Sequence, residues 1–542
     1  MGSDHGALRF GLVVALSSRK ASTKELSLVQ DSVFFIPAKY ARGIGLSLLA
    51  GWALGCGMAS DEGASQVPPS MEERTPTNPD RNGDGFVNIL LLGSSESLGG
   101  GLGFSMDLVA TELAAALVSS GLSAEALNVV AEDIHKSKPV VIGLGQNGAE
   151  YEYMHHSHSL AQYYYWPEDQ VRRWANLKGE GEFPWDHVVI APDPYLVSTL
   201  PGYSAFGVHK IAAKVAAGGG QPLLLMVWPQ GNASEAILDR MEQVTVRVGA
   251  GASVPFAVAP AAAAWRDVTA QDTSRLHPSP RGAELSAAVI YSQITQEKAP
   301  GIEPSLAEVA WSAVQAQRGP DGLWEDGDVL SPFSGAGVRE DIISYHHTGS
   351  SSERGILGGL NWVFEQASET LQNGGESPIN FNYGRANSNF EPNKRYQVDP
   401  ERFQFSFGFP MQDNGNHGDV SMLYGLDRRD SGTLNDTDLG VAQFMVAEGE
   451  LPQARAVPIR TLFAQLREAI PEQSAYRDAW HMHRDLDKAS GAFMYTLLTG
   501  KCALGPEPED RASADWRSWT AHRIGYITAW TLMHWESAPA CP

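Results

Sequence analysis

The sequence predicts an α/β fold, a three-layer arrangement in which a parallel β-sheet is flanked by helices. Between residues 86 and 260, short apolar runs typical of buried strands alternate with longer segments of helical periodicity. This alternation is typical of parallel sheets, because a parallel connection usually runs through a helix. The composition agrees, since 43% of the residues are hydrophobic and 14 are tryptophan, which is ample material for a core.

The elements follow in order along the chain. Strands are expected at Val87–Leu92, Pro139–Ile142, Trp185–Ala191, Gln221–Trp228 and Pro255–Val258. Helices are expected between them at Leu102–Ser119, Ser204–Ala217 and Ser234–Val248. In sheets of this kind ligands bind at the carboxyl ends of the strands, so the residues that follow each strand are the first candidates for a functional site.

The length of 542 residues is too great for one ordinary domain. We expect a signal region at 1–56, a flexible tether at 57–85, an α/β domain at 86–300, a linker at 301–334 and a second domain at 335–542. The tether is expected to be flexible because its residues are small, polar and rich in proline. The second domain is expected to be smaller than the first and either α/β or mostly helical.

The charge balance excludes two classes of partner. The chain has 40 Lys and Arg against 63 Asp and Glu, a formal net charge of -23. Binding to nucleic acid or to an acidic membrane surface relies on Lys and Arg, so neither partner is expected. A small-molecule or glycan ester is the expected substrate and no cofactor is expected, while the oligomeric state is left open.

The first 60 residues contain a predicted export signal. Lys39 and Arg42 precede a 13-residue apolar run at 43–55, which is too short to span a bilayer and is typical of a signal peptide. The residues before Cys56 resemble a bacterial lipobox, which implies that Cys56 carries lipid and begins the mature chain. An ordinary signal peptide cleaved near Ala59 is the alternative. In both cases the protein is expected to be exported, as an outer-membrane lipoprotein or in periplasmic or secreted form.

The remaining cysteines form an even pair. If Cys56 carries lipid, Cys502 and Cys541 are left near the end of the chain. In an oxidising compartment they are expected to form one disulfide. Two free buried thiols are the alternative.

Residues 80–85 match the first half of a calcium-binding loop. Asp80, Asn82 and Asp84 supply oxygens at positions 1, 3 and 5, and a glycine follows for the turn. The carboxylate at position 12 is missing, because Leu91 stands there. A turn built from Gly and Asp is therefore the preferred interpretation and calcium the weaker one, and no other metal site is predicted.

Two segments of the first domain carry residue types suited to nucleophilic catalysis. Gly93-Ser94-Ser95-Glu96-Ser97 follows the first strand, and a later segment from Asp272 contains His277 and leads into an Ala-rich helix. A serine on a tight glycine turn after a buried strand, with a histidine from a later loop, is the arrangement that base-activated attack requires. Asp272 is the candidate third member.

Because of these two segments, the stretch from about 86 to 296 resembles the SGNH/GDSL hydrolase superfamily. Gly-Ser-Ser stands where that family has Gly-Asp-Ser, and the His-Pro-Ser-Pro-Arg-Gly segment from His277 resembles its last block. The resemblance implies a flavodoxin-like sheet, with Ser95 as nucleophile and His277 as base. The implied oxyanion donors are the Ser95 amide together with Gly145 or Asn147.

The sequence departs from the family pattern at three positions. Ser274 stands where the family has Asp three residues before its His, so Asp272 is at best an imperfect orienting partner. Asp193 stands near the place of the family's oxyanion Asn, where a carboxylate would repel developing negative charge. Ser94 replaces the family's Asp.

A shift of 204 residues aligns the end of the first domain with the end of the chain. His277 then matches His481, and both stretches continue through a helix into a Glu-Pro turn. Upstream, residues 342–353 resemble the first strand and its serine-rich turn, although 375–440 shows few buried strand runs. This predicts a second, degenerate SGNH-like unit, with chance similarity of amphipathic helices as the alternative. Its candidate residues are Ser351, Asp478 and His481.

These observations predict a cell-envelope serine esterase that hydrolyses acyl or acetyl esters through Ser95 and His277. The alternative is a catalytically inactive envelope binding protein that keeps the SGNH fold. The two differ in one requirement, because hydrolysis needs the serine hydroxyl within hydrogen-bond reach of the imidazole.

Overall fold

The computed structural model describes most of the chain from residue 76 onward. The described residues are 76–99, 107–134, 139–144, 150–154, 159–165, 185–199, 201–228, 235–254, 256–268, 278–317, 343–349, 359, 362–363, 379–385, 405–408, 420–424, 454–457, 459–471 and 483–541. They belong to one compact unit, Met71–Pro542. None of the helices in these ranges is long and apolar enough to cross a membrane.

The first half of this unit contains a five-stranded parallel sheet. Its strands are β1 (Val87–Gly93), β2 (Leu127–Asp133), β5 (His187–Ile190), β6 (Gln221–Leu225) and β7 (Ala257–Ala259). They lie in the order β2-β1-β5-β6-β7, and every pair of neighbours is parallel. The predicted α/β fold class is therefore confirmed.

The helices of this half form two groups. The helices are α1 (Ser95–Leu98), α2 (Leu108–Ser119), α3 (Leu160–Tyr164), α4 (Pro194–Thr199), α5 (Pro201–Ala217), α6 (Glu235–Ala250), α7 (Ala261–Asp267), α8 (Pro280–Thr295) and α9 (Pro304–Ala316). Helices α2, α7 and α9 pack against α8, whereas α3, α4 and α6 pack against α5. Every residue of β1 is buried, as a strand covered on both faces requires.

One predicted strand has a different partner from the one expected. Residues 139–142 were expected in the parallel sheet, but β3 (Pro139–Leu144) pairs antiparallel with β4 (Glu150–Met154) in a separate two-stranded sheet. The sheet position is taken by β2, which the apolar pattern did not predict. Strand β2 lies at the sheet edge and its residues are half-buried or exposed, so it lacks the continuous apolar run of a central strand.

The second half contains another five-stranded parallel sheet. Its strands are β8 (Ile343–Gly349), β9 (Ile379–Arg385), β10 (Phe405–Gly408), β11 (Val420–Tyr424) and β12 (Ala454–Val457). All neighbours are parallel, in the order β12-β11-β10-β8-β9. The second part of the chain is therefore α/β rather than mostly helical. Residues 375–440 show few apolar runs typical of buried strands, yet β9, β10 and β11 lie there as short strands with interspersed polar residues.

The two sheets share one topology. Numbered along the chain within each sheet, both have the strand order 2-1-3-4-5. The helices that follow are α10 (Ile459–Ala469), α11 (Arg484–Thr499) and α12 (Ala514–His534). Helices α8 and α11 are both 16 residues long, and both end in a left-handed residue, Gln296 with φ 58° and Gly500 with φ 67°. Their bounds differ by 204 residues at each end, which favours a duplicated unit.

Two predicted connecting segments turn out to be partly packed. The expected linker 301–334 contains α9, whose apolar face packs against α8. The expected tether 57–85 ends in residues held on the body, since the Thr77 amide donates to the Thr295 carbonyl at 2.8 Å. In the described parts of these segments, 76–85 and 301–317, backbone groups and apolar residues contact the first half.

The helices of the two halves are in direct contact. Helix α12 crosses α5 so closely that a Cβ on Gly202 would lie 2.2 Å from the Leu532 carbonyl oxygen. On α10, the Glu468 carboxylate accepts hydrogen bonds from the hydroxyls of Tyr164 and Tyr165. Helices of the second half therefore pack directly on the first half.

Candidate functional site

The carboxyl ends of β1 and β5 lie at the point where the strand order of the first sheet reverses. In a sheet of order 2-1-3-4-5, ligands bind in the crevice at this switch point. Gly93 ends β1 there, and a Cβ on it would lie 2.8 Å from the Cβ of Ala191, the residue after β5. The close approach explains the glycine of the Gly-Ser-Ser turn.

Ser95 follows this turn as the first residue of α1. The Ser94 carbonyl accepts the amides of Ser97 at 3.0 Å and Leu98 at 2.9 Å, which closes the single turn of the helix. The first amides of a helix have no partner within it. The Ser95 backbone N–H thus stands at a position suited to holding an anionic oxygen.

Asp193 has a structural partner at the same edge. Its side chain is buried at 2% exposure, and its Oδ1 accepts the amide of Leu196 at 2.9 Å in the first turn of α4. A carboxylate in this position caps a helix. One oxygen of the carboxylate is thus directed to a helix amide, and the repulsion of an oxyanion by Asp193 stays a prediction.

Helix α8 begins at this same edge of the sheet. A Cβ on Gly282, in its first turn, would lie 1.8 Å from Cζ2 of Trp265, which belongs to the helix after β7. The ring centroids of Trp265 and Trp228 are 4.9 Å apart, and Trp228 lies just beyond the carboxyl end of β6. His277 stands three residues before the first residue of α8, and this helix starts at the edge where Ser95 follows β1.

The other predicted site residues lie outside the described residues. They are His277, Asp272, Gly145, Asn147, the second-unit candidates Ser351, Asp478 and His481, and Cys56.

Two buried polar atoms beside Ser95 have no hydrogen-bond partner among the described residues. One is Oγ of Ser94, which is fully buried, and the other is Oε2 of Glu96. The sequence argument treated Glu96 only as part of the serine-rich turn and missed it as a candidate. A carboxylate directly after the predicted nucleophile, Ser95, was the available signal.

The calcium-like loop is stabilised by its own side chains. Asp80 accepts the amides of Gly83 at 2.7 Å and Gly85 at 3.0 Å, and both glycines have positive φ. Within the described ranges, no group of three or more His, Cys, Asp or Glu residues is placed to hold a metal ion. The arrangement favours a Gly and Asp turn.

A carboxylate that the sequence did not single out holds this loop to the sheet. Asp186, just before β5, is 2% exposed and accepts the amides of Arg81 at 2.9 Å, Asn82 at 3.3 Å and Asn88 at 2.9 Å. Such bonds to a buried carboxylate are strong because the acceptor is charged. Asp186 therefore fixes residues 81–88 at the amino edge of the sheet.

A cavity of about 250 Å³ lies at this amino edge, away from Ser95. It is lined by the first residues of β5 and β6, His187 and Gln221, and by Gln293 and Gln296 at the end of α8. His187 is buried there, which lowers the pKa of its imidazole to about 4 against the effect of a contact with the Pro79 carbonyl at 3.1 Å. At neutral pH this imidazole is uncharged.

Cys502 and Cys541 are joined in a disulfide, with Cα atoms 5.7 Å apart. This separation lies in the usual range for such bonds. The bond ties the loop after α11 to the end of the chain.

Comparison with known proteins gives similarity to solved structures at low sequence identity. No protein-family model matches the chain, and no curated protein matches it. One similar solved structure is a protein described as a candidate SGNH hydrolase from Slackia heliotrinireducens, with 20% identity and a TM-score of 0.27 over 39% of this chain and 98% of that one. Another is a DUF4886 family protein from Bacteroides uniformis, with 12% identity and a TM-score of 0.27 over 42% of this chain and 93% of that one.

Proposed function

We propose that this protein is an exported serine esterase that hydrolyses acyl or acetyl esters of a small molecule or a glycan. One observation carries the proposal. Ser95 starts the helix after β1 at the switch point of the sheet, and α8, which begins three residues after His277, starts at the same edge. A nucleophile and a base supplied from these two places can meet in one crevice.

The reaction proceeds by two transfers of the acyl group. His277 accepts the hydroxyl proton of Ser95, whose oxygen attacks the ester carbonyl, and the tetrahedral intermediate expels the alcohol after protonation by His277. Water, activated by the same imidazole, then releases the carboxylic acid and restores the serine. The amide of Ser95, with Gly145 or Asn147, stabilises the negative oxygen in both steps.

The cellular location is part of the proposal. The basic residues, the apolar run at 43–55 and Cys56 support lipidation and export, most simply to the outer membrane. The disulfide between Cys502 and Cys541 supports an oxidising compartment.

The second sheet belongs to a degenerate copy with a supporting role. Its 2-1-3-4-5 order and the matched bounds of α8 and α11 support a duplication. The first copy is the proposed catalytic unit, because Ser95 and His277 are 182 positions apart while Ser351 and His481 are 130 apart, leaving less chain for a complete fold.

The test is hydrolysis by the full-length mature protein. The wild type should hydrolyse acetyl, butyryl or glycan-acetyl esters above a heat-denatured control. Ser95→Ala and His277→Ala should each abolish turnover, since a nucleophile and its base fail together. Ser351→Ala, the matching serine of the second copy, should leave turnover unchanged. If no ester is turned over and a fluorophosphonate probe does not label Ser95, the inactive binding protein replaces this proposal.

A further inference from the structure

The cavity at the amino edge of the first sheet is enclosed by segments that are fixed in place. Residues 77–81 form one wall, and the starts of β5 and β6 and the end of α8 form others. The Thr77 amide donates to the Thr295 carbonyl at 2.8 Å, and the Arg81 amide donates to Oδ1 of Asp186 at 2.9 Å. Because both ends of this wall are held, the cavity is preformed, as small-molecule sites usually are.

The surface of the cavity consists mainly of carbon atoms. Pro222 and Leu223 of β6 and Ile294 of α8 contribute buried apolar side chains to it, and Ala257 lines it from the start of β7. The volume is about 250 Å³. Since an apolar cavity of about 150 Å³ holds benzene, this one can hold a compact body of about ten non-hydrogen atoms.

The charged group of the described lining is a cation. It is Arg81, which is exposed, so its guanidinium lies towards the solvent side of the cavity. Burial is the main reason why the pKa of His187 is low, and the nearby positive charge of Arg81 lowers it further. The neighbouring carboxylate of Asp186 lies outside the described lining and accepts backbone amides. The mouth of the cavity therefore favours a negatively charged group.

The end of α8 limits how much negative charge a ligand can carry. The carboxyl end of a helix has partial negative charge, and Gln293 and Gln296 line the cavity from this end. Carbon-lined walls also give a charge no solvation, so burying one there is unfavourable. A ligand that matches these walls has one anionic group at the mouth and an apolar body inside.

We propose that this cavity binds a small monocarboxylate with an apolar body about the size of benzoate, its carboxylate paired with Arg81. A guanidinium and a carboxylate match in shape through two parallel N–H···O bonds. A cation would be repelled by Arg81, a phosphate dianion by the end of α8, and a sugar would leave its hydroxyls against carbon. The cavity lies at the amino edge and Ser95 at the carboxyl edge, so this site is separate from the proposed esterase centre.

The test is binding of benzoate to the full-length protein, measured by ligand-observed NMR. Benzyl alcohol is the uncharged match and glucuronate the polar carboxylate. Benzoate should bind with a Kd below about 5 mM, and the other two at least about tenfold more weakly. Arg81→Gln should weaken benzoate binding about tenfold, through loss of the charged hydrogen bonds. Ala257→Leu, at an exposed position of the lining, should fill the space and prevent binding.

The control is Arg511→Gln, which removes an exposed arginine outside the described lining and should leave the affinity unchanged. Equal binding of benzyl alcohol or glucuronate would show that the ligand class is wrong. Unchanged benzoate binding in both Arg81→Gln and Ala257→Leu would place it elsewhere and overturn the assignment, as would no saturable binding up to about 50 mM. Should Ala257→Leu not fold, Arg81→Gln decides. Ser95→Ala should bind benzoate like the wild type, so failure of the esterase proposal leaves this one standing.

Discussion

The ammonium of Lys210 on α5 lies 2.9 Å from Oε2 of Glu468 on α10, and this ion pair joins helices that follow strands of two different sheets. The hydroxyls of Tyr164 and Tyr165 donate to the same carboxylate. Burial alone would raise the pKa of Glu468, but the Lys210 charge and the three hydrogen bonds outweigh it and hold the pKa below its ordinary 4.5. The carboxylate is therefore a fixed contact between the two halves.

Glu468→Gln should destabilise the protein by about 0.5 to 1.5 kcal/mol, because hydrogen bonds to a charged acceptor are replaced by weaker ones and solvent screens part of the effect at a side chain that is 40% exposed. Since its folded pKa is lowered, the contribution of Glu468 is complete above pH 4.5 and is lost as the pH falls through the folded pKa. Denaturant unfolding at pH 7 measures the effect. Glu308→Gln, which removes the exposed ion pair with Lys298, is the matched control and should cost less than about 0.5 kcal/mol. Equal losses in the two variants would contradict the prediction.

Two buried histidines and one half-buried histidine should make the fold sensitive to acid. Burial lowers the pKa of His187, His209 and His522 from 6.5 to about 4 in each case, despite carbonyl contacts at the first two. The unfolded chain then binds more protons than the folded one between these values, so stability rises with pH from about 4 to 6.5. Each histidine should make the protein about 2 kcal/mol less stable at pH 5 than at pH 7.

The pH dependence of unfolding in His209→Gln provides the check. The slope of unfolding free energy against pH between 5 and 6 should fall by about 1.2 kcal/mol per pH unit, slightly less than the value for one full proton. His483→Gln serves as the comparison, since His483 is a third exposed and caps α11 rather than lying in the core. A wild-type slope near zero in this range would contradict the assignment of buried neutral imidazoles.

The disulfide should stabilise the C-terminal part of the body. Cys502 and Cys541 are 39 positions apart, and closing a loop of that size in the unfolded chain is worth about 4 kcal/mol in the chain-entropy account. Reducing agent should therefore lower the melting temperature of the wild type. The double variant Cys502→Ser, Cys541→Ser should melt at the lower temperature with or without reductant. An unchanged wild-type melting temperature under full reduction would be the contrary result.

Gly282→Ala should disturb the edge that carries the candidate site. The added methyl would meet the Trp265 ring, so the indole or the start of α8 must move, at a cost of about 1 to 3 kcal/mol. The movement should change tryptophan emission, because Trp265 and Trp228 are in contact. Gly505→Ala is the control, since a Cβ on Gly505 meets nothing within 4 Å. Identical emission and stability in the two variants would rule out the crowding.

Lipidation at Cys56 has its own test. The mature wild type should partition into detergent and incorporate a fatty-acid probe, because Cys56 follows a basic segment and an apolar run. Cys56→Ser should lose both properties. Retention of the probe by this variant would show that the lipid, if any, is attached elsewhere.

Local patterns in the sequence were sufficient for the central part of the first sheet. Strands β1, β5, β6 and β7 were predicted because a strand that is covered on both faces has a nearly continuous apolar sequence. The same signal failed for β2 and for the short strands of the second sheet, where polar residues interrupt the runs. The 204-residue repeat, which does not depend on single strands, still pointed to a second unit.

By itself the sequence predicted the α/β class and the order of the helices and central strands around Ser95, because these follow from periodicity and composition. It also predicted two units, each with its own candidate serine and histidine. Only the tertiary structure decided the partners of the carboxylates. Asp186 holds a loop, Asp193 caps a helix, and Glu96 keeps a buried oxygen without a described partner. A carboxylate has the same chemistry in all three places, and its role depends on which amides or charges distant segments bring within about 3 Å, which no local pattern encodes.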